Sequence, residues 1–181
     1  MMTENTQKNE TLSVAEILHR RAEILAQPVE EPTAEETFLD AVLFQLAGET
    51  YAIALEFLQD VLPLSGLAPI PCTPPFVAGI INVRGQIVSV VSLKTLFDLP
   101  AAPEMQYQKV LLLSNGEMIF GVIVDRMFGT KPLALSGLQS PPMTLSGFRA
   151  DYVRGITPDT VILLDAAKML GDARLIVHET A

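Results

Sequence analysis

Chemistry in this 181-residue chain would have to come from few side chains. The two histidines, His19 and His178, lie near opposite ends, and the single cysteine, Cys72, has neither beside it in any reactive pattern. A Cys–His nucleophile requires the pair within hydrogen-bond reach, and the spacing indicates no such pair. Metal binding requires several converging ligands, yet no CxxC, HxxxH or HExxH spacing occurs. Asp125 and Asp165 each end an apolar run, where a carboxylate more often caps a turn than acts as a general base. No Gly-rich phosphate loop is present, because Gly79 and Gly85 fall within one hairpin pattern. The expectation is a protein with no catalytic residue, no metal and no cofactor. One charged residue stands out instead: Arg84, a lone cation between two apolar runs.

Those runs, Phe76–Val83 and Gln86–Leu93, are dense in Val and Ile and flank Asn82-Val83-Arg84-Gly85. Glycine permits a positive φ at the tip and asparagine tolerates one, so the segment reads as a tight hairpin. Its tip would push Arg84 into solvent, within reach of a partner. The approach carries Pro69, Pro71, Pro74 and Pro75, which cannot continue a sheet ladder.

The pattern returns in weaker form. Phe76-Val77-Ala78-Gly79-Ile80 corresponds to Tyr152-Val153-Arg154-Gly155-Ile156, and Val88–Ser92 to Val161–Asp165. Each copy runs into a short apolar segment, Leu93–Leu96 and Ala166–Leu170. Two copies are too few for a solenoid. They indicate two similar β subdomains.

These strings resemble the signature of CheW-like domains, the coupling proteins of bacterial chemotaxis arrays. The resemblance rests on Ile70-Pro71, Pro74, Phe76-Val77-x-Gly79-Ile80-Ile81-Asn82-Val83-Arg84-Gly85, Phe120–Arg126, Tyr152-Val153-x-Gly155 and Ile162–Asp165, and spans roughly residues 38–171. The chain has Ser89-Val90 and Ser92-Leu93 where the family has Pro-Val and Asp-Leu. The resemblance implies an all-β fold: two intertwined five-stranded SH3-like barrels sharing a third core, with a short helix after the second strand. It implies a non-enzymatic adaptor between a chemoreceptor's cytoplasmic tip and the regulatory domain of a histidine kinase. It also implies a receptor-binding role for Asn82, Arg84 and Gly85, and for Leu55, Leu58, Asp60 and Val61 in a receptor-facing turn where the acid is usually Glu. Read from the residues alone, Leu55, Leu58 and Val61 are equally the core-facing side of a short helix.

In chain order, residues 1–12 are polar and read as disordered. Ser13–Glu16 is a capping-box pattern, and Val14, Ile17, Leu18 and Leu25 follow at helical spacing. The spacing predicts an amphipathic helix over 13–27, then an acidic linker, so that 1–36 forms an extension to a domain at 37–173 with a tail at 174–181. Strands are expected from Phe38, a helical turn over Ala54–Leu62, a strand around Ile70, a hairpin from Lys109 to Arg126 with Asn115-Gly116 at its turn, a long loop over 129–148, strands at Tyr152–Ile156 and Val161–Leu164, and a helix at Asp165–Leu170 stopped by Gly171.

Net charge is −9, of which −6 lies in residues 1–40. That balance repels phosphate backbones, and with no Trp and only three Tyr the chain lacks the stacking platform of a single-strand binder. Nucleic acid is not an expected partner. No apolar run reaches the roughly 18 residues of a membrane span, so no direct membrane insertion is expected. The start lacks a signal-peptide pattern and the lone Cys suits a reducing compartment, which together point to the cytoplasm. The rival reading is a small β-barrel sensor that binds a ligand between its subdomains.

Overall fold

The computed structural model describes residues 37–100 and 108–175. Among the described residues ten strands form two sheets of five. The first two, β1 (Phe38–Leu46) and β2 (Glu49–Ala54), pair antiparallel around Ala47-Gly48. A 3₁₀ turn at Leu55–Phe57 then delivers β3 (Leu58–Pro63) to the other sheet, where it pairs with β6 (Lys109–Ser114). β6 and β7 (Ile119–Val124) form that sheet's own hairpin, and β8 (Arg126–Ala134) returns to pair with β1. Each hairpin therefore donates its next strand to the opposite sheet. The barrels are intertwined, as the resemblance implied.

The remaining strands complete the symmetry. β4 (Val77–Val83) and β5 (Gln86–Val91) join the second sheet, with β5 parallel to β7. β9 (Val153–Ile156) and β10 (Ile162–Leu164) join the first, with β10 parallel to β2. The sheet orders β8-β1-β2-β10-β9 and β3-β6-β7-β5-β4 correspond strand for strand in their connectivity. The sequence repeat is thus the edge hairpin of each barrel plus the helix after it: α1 (Leu93–Leu96) in one, and α3 (Ala166–Gly171) in the other. Ser92 Oγ accepts from the Thr95 N–H (3.3 Å) at the start of α1, as Asp165 Oδ1 accepts from the Lys168 N–H (3.0 Å) at the start of α3. A hydroxyl does the N-cap's work as a carboxylate does, so Ser92 keeps this function. Gly171 is the last helical residue, and Asp172 follows as the C-cap.

Period-two alternation sends successive side chains to opposite faces, and here both faces are buried. Along β6, Val110 and Leu112 fill the second barrel with Ile81, Val88, Val90 and Ile123. Leu111 and Leu113 instead join Val42, Phe44, Tyr51, Ile53, Phe120, Val122 and Tyr152 in the shared core between the barrels. Ala41, Ala52, Leu133, Val161 and Leu163 fill the first barrel. That double burial is why β6 reads Val-Leu-Leu-Leu without alternation.

Four sequence expectations need correction. The helical turn over Ala54–Leu62 ends at Phe57, and Leu58, Asp60 and Val61 lie on β3. A register shift between Leu58 and Asp60 inserts one residue, so Leu58 and Val61 reach the shared core at a spacing of three, which imitates a helix. The loop over 129–148 is a strand as far as Ala134, and α2 (Gly147–Tyr152) lies at its end. Pro132 is tolerated because β8 is an edge strand. Phe148, set edge-on to Phe76 at 5.9 Å, and buried Tyr152 anchor α2, which makes Tyr152 a helical residue. No strand forms around Ile70; the segment contributes only a bridge between Ala68 and Ile80. The helix expected at 13–27 lies outside the described residues.

Candidate protein-docking site

The tip joining β4 to β5 is a two-residue turn with Val83 paired to Gln86. Arg84 (φ 52°) and Gly85 (φ 91°) both occupy the left-handed region, the requirement of a type I′ hairpin. The expectation gave a positive φ to Gly85 and allowed one at Asn82; the structure gives the second to Arg84. Asn82 acts through its side chain, its Oδ1 accepting from the Gly85 N–H at 2.8 Å.

With the tip so held, Arg84 crosses to β3. Its guanidinium lies 3.1 Å from Asp60 Oδ2, while Asp60 Oδ1 accepts from the Val61 N–H at 2.8 Å. β3 and β4 are the two edges of their sheet, so the ion pair spans the mouth of the second barrel. Arg84 is 85% exposed and Asp60 30%. An ion pair this wet is worth about 0–1 kcal/mol. It orients the two side chains more than it stabilises the fold.

Beside the pair lies a hollow of about 510 Å³ whose lining includes Glu56, Phe57, Leu58, Gln86, Glu117 and Met118. Asp60, Asn82, Arg84 and Gly85 are thus brought together at the tip, and Leu58 lines the neighbouring hollow. Leu55 lines a different hollow with Leu39, Asp40 and Ala54. Val61 packs against the shared core. Sequence reasoning missed Ile87, which is 59% exposed opposite Asn82. Its signal was alternation with buried Val88, so an apolar residue on the outward phase of the strand was readable.

Among the described residues no group of three or more His, Cys, Asp or Glu could hold a metal ion. No helix among them is long and apolar enough to cross a membrane. Asp125 and Asp165, the two carboxylates weighed as bases, both act as acceptors of structural hydrogen bonds.

Residues 40–174 match the CheW-like domain family. The chain belongs to that family. It is 29% identical over 141 residues to the chemotaxis protein CheW of Treponema pallidum, covering 74% of this chain and 83% of that one. It is 23% identical over 136 residues to protein FrzA of Myxococcus xanthus, covering 72% and 84%. Its fold resembles the crystal structure of the scaffolding protein TtCheW from Thermoanaerobacter tengcongensis with a TM-score of 0.65 at 26% identity, covering 75% of this chain and 90% of that one. CheW-like domains of this kind are scaffolds and not enzymes, so the chain is a non-enzymatic scaffold of a chemosensory array.

Proposed function

We propose that this CheW-like chain couples a chemoreceptor's cytoplasmic tip to the regulatory domain of a histidine kinase, in the cytoplasm, with the β4–β5 tip in the receptor-binding surface. The observation that carries the reading is the exposed Arg84–Asp60 pair beside a partly apolar hollow. A charged rim next to apolar side chains is the usual anatomy of a protein-docking face. Asn82, Gly85, Leu58 and Gln86 complete that face, Leu55 and Val61 flank it, and Ile87 adds exposed apolar surface. Buried apolar and aromatic side chains fill the shared core between the two barrels, which favours an adaptor over a sensor with a ligand between its subdomains.

The test is binding of a receptor-tip fragment and of the kinase regulatory domain, measured by calorimetry at low and high salt. Arg84→Ala and Arg84→Glu should both weaken receptor binding, Glu by about tenfold or more, equivalent to about 1.4 kcal/mol. Rim charges act on association rate and salt dependence, so the parent should lose affinity with salt more steeply than either variant. Melting should stay within about 0.5 kcal/mol of the parent. Parent-like binding by both variants at low salt would remove Arg84 from the docking face.

A further inference from the structure

We propose that Asp125 is a positioning residue that locks the two intertwined barrels in one relative pose. It is the single residue between β7 in the second sheet and β8 in the first. Its Oδ2 accepts from the Ala47 N–H (2.9 Å) in the β1–β2 turn, and its own N–H donates to the Gln45 carbonyl (3.0 Å). Both bonds hold the first sheet. Its Oδ1 accepts from Lys94 Nζ at 2.8 Å, on the helix that follows β5, and lies 3.5 Å from Gln108 Nε2, just before β6. Both of those partners adjoin strands of the second sheet. The side chain is 4% exposed.

The opposite crossover, Leu55–Phe57, makes no side-chain cap bond, and Phe57 meets the shared core through apolar contact. Apolar packing is non-directional and tolerates sliding. A buried carboxylate with donors from both sides does not, because displacement on one side removes the Ala47 hydrogen bond and on the other the Lys94 countercharge. The two crossovers therefore divide the work: one contributes burial, the other orientation. In a scaffold that holds two partners, that orientation sets the angle between them, a consequence that rests on the coupling role proposed above.

The pose itself is measured on the free protein, so its failure is distinct from failure of that role. In a Cys72→Ser background, spin labels at Glu117→Cys in the second sheet's hairpin and Asp159→Cys in the turn after β9 report the inter-barrel distance. Lys94→Met with Asp125→Ala should stay folded, since replacing both members of a buried pair is often neutral for stability, yet broaden the distance distribution. Lys94→Met with Asp125→Asn, which keeps an acceptor for Ala47, should give an intermediate width and serves if the first variant fails to fold. Val88→Ala, which loosens only the second barrel's own core, should leave the width unchanged. A parent-like width in the paired variants would overturn the proposal. Equal broadening by Val88→Ala would do the same.

Discussion

Gly79 and Gly155 meet the same constraint in the two barrels: each lies against the carbonyl of the strand-like segment that closes its sheet. A Cβ on Gly79 would sit 2.3 Å from the Ala68 oxygen, and one on Gly155 2.8 Å from the Gln139 oxygen. Those segments form isolated bridges, Ala68 with Ile80 and Gln139 with Ile156, each pairing an edge strand with the segment that follows the opposite edge strand of the same sheet. The Gly-Ile of the sequence repeat is thus the signature of barrel closure.

Alanine at either glycine should destabilise the domain by about 1–3 kcal/mol, the usual cost of forcing atoms into a packed site. Gly79→Ala should cost more, because its φ of +146° is itself unfavourable for a residue with a Cβ. Urea midpoints of the two variants, compared with the parent, test this; an unchanged midpoint for Gly79→Ala would mean that the bridge is dispensable.

At the docking tip the steric case is different. A Cβ on Gly85 meets nothing within 4 Å, so only its φ of +91° opposes substitution. Gly85→Ala should cost about 1 kcal/mol, from conformation alone. Gly85→Asn should cost less, since asparagine tolerates the left-handed region. Equal midpoints for all three proteins would show that the turn can relax.

Acid should act on the inter-barrel junction. Burial works against ionisation of Asp125, but hydrogen bonds from Lys94 and the Ala47 N–H, the charge of Lys94 and a bond from Gln108 together hold its carboxyl below the ordinary aspartate value. A depressed folded-state value means that the stabilisation is present above the unfolded value, about 3.9, and is lost as pH falls through the folded one. The stability gap between the parent and Asp125→Asn should therefore be constant near neutrality and shrink below about pH 4. A gap that persists undiminished at low pH would exclude charge as its source.

Residues 1–36 are proposed to be dispensable for folding of the domain. The described residues Leu39–Leu175 supply three extensive apolar clusters of their own, and the Leu135 N–H donates to the Thr37 carbonyl at 2.9 Å. A chain beginning at Thr37 should still unfold in one cooperative transition by calorimetry. Loss of cooperativity would assign the extension a structural role.

The sequence by itself determined the features that depend on local chemistry. Arg84-Gly85 dictated a tight tip, Phe76–Ile80 and Tyr152–Ile156 announced two related β units, and the scarcity of His and Cys left no active-site pattern. Tertiary structure alone decided which sheet each strand joins, because β3 and β8 pair with strands distant in sequence and carry no local mark of the exchange. It decided that Leu58 and Val61 share a face, through a bulge that mimics helical spacing. It also brought Asp60 to Arg84 and Lys94 to Asp125. Side chains 24 and 31 residues apart meet only once the barrels close, since an ion pair depends on distance in space and not along the chain.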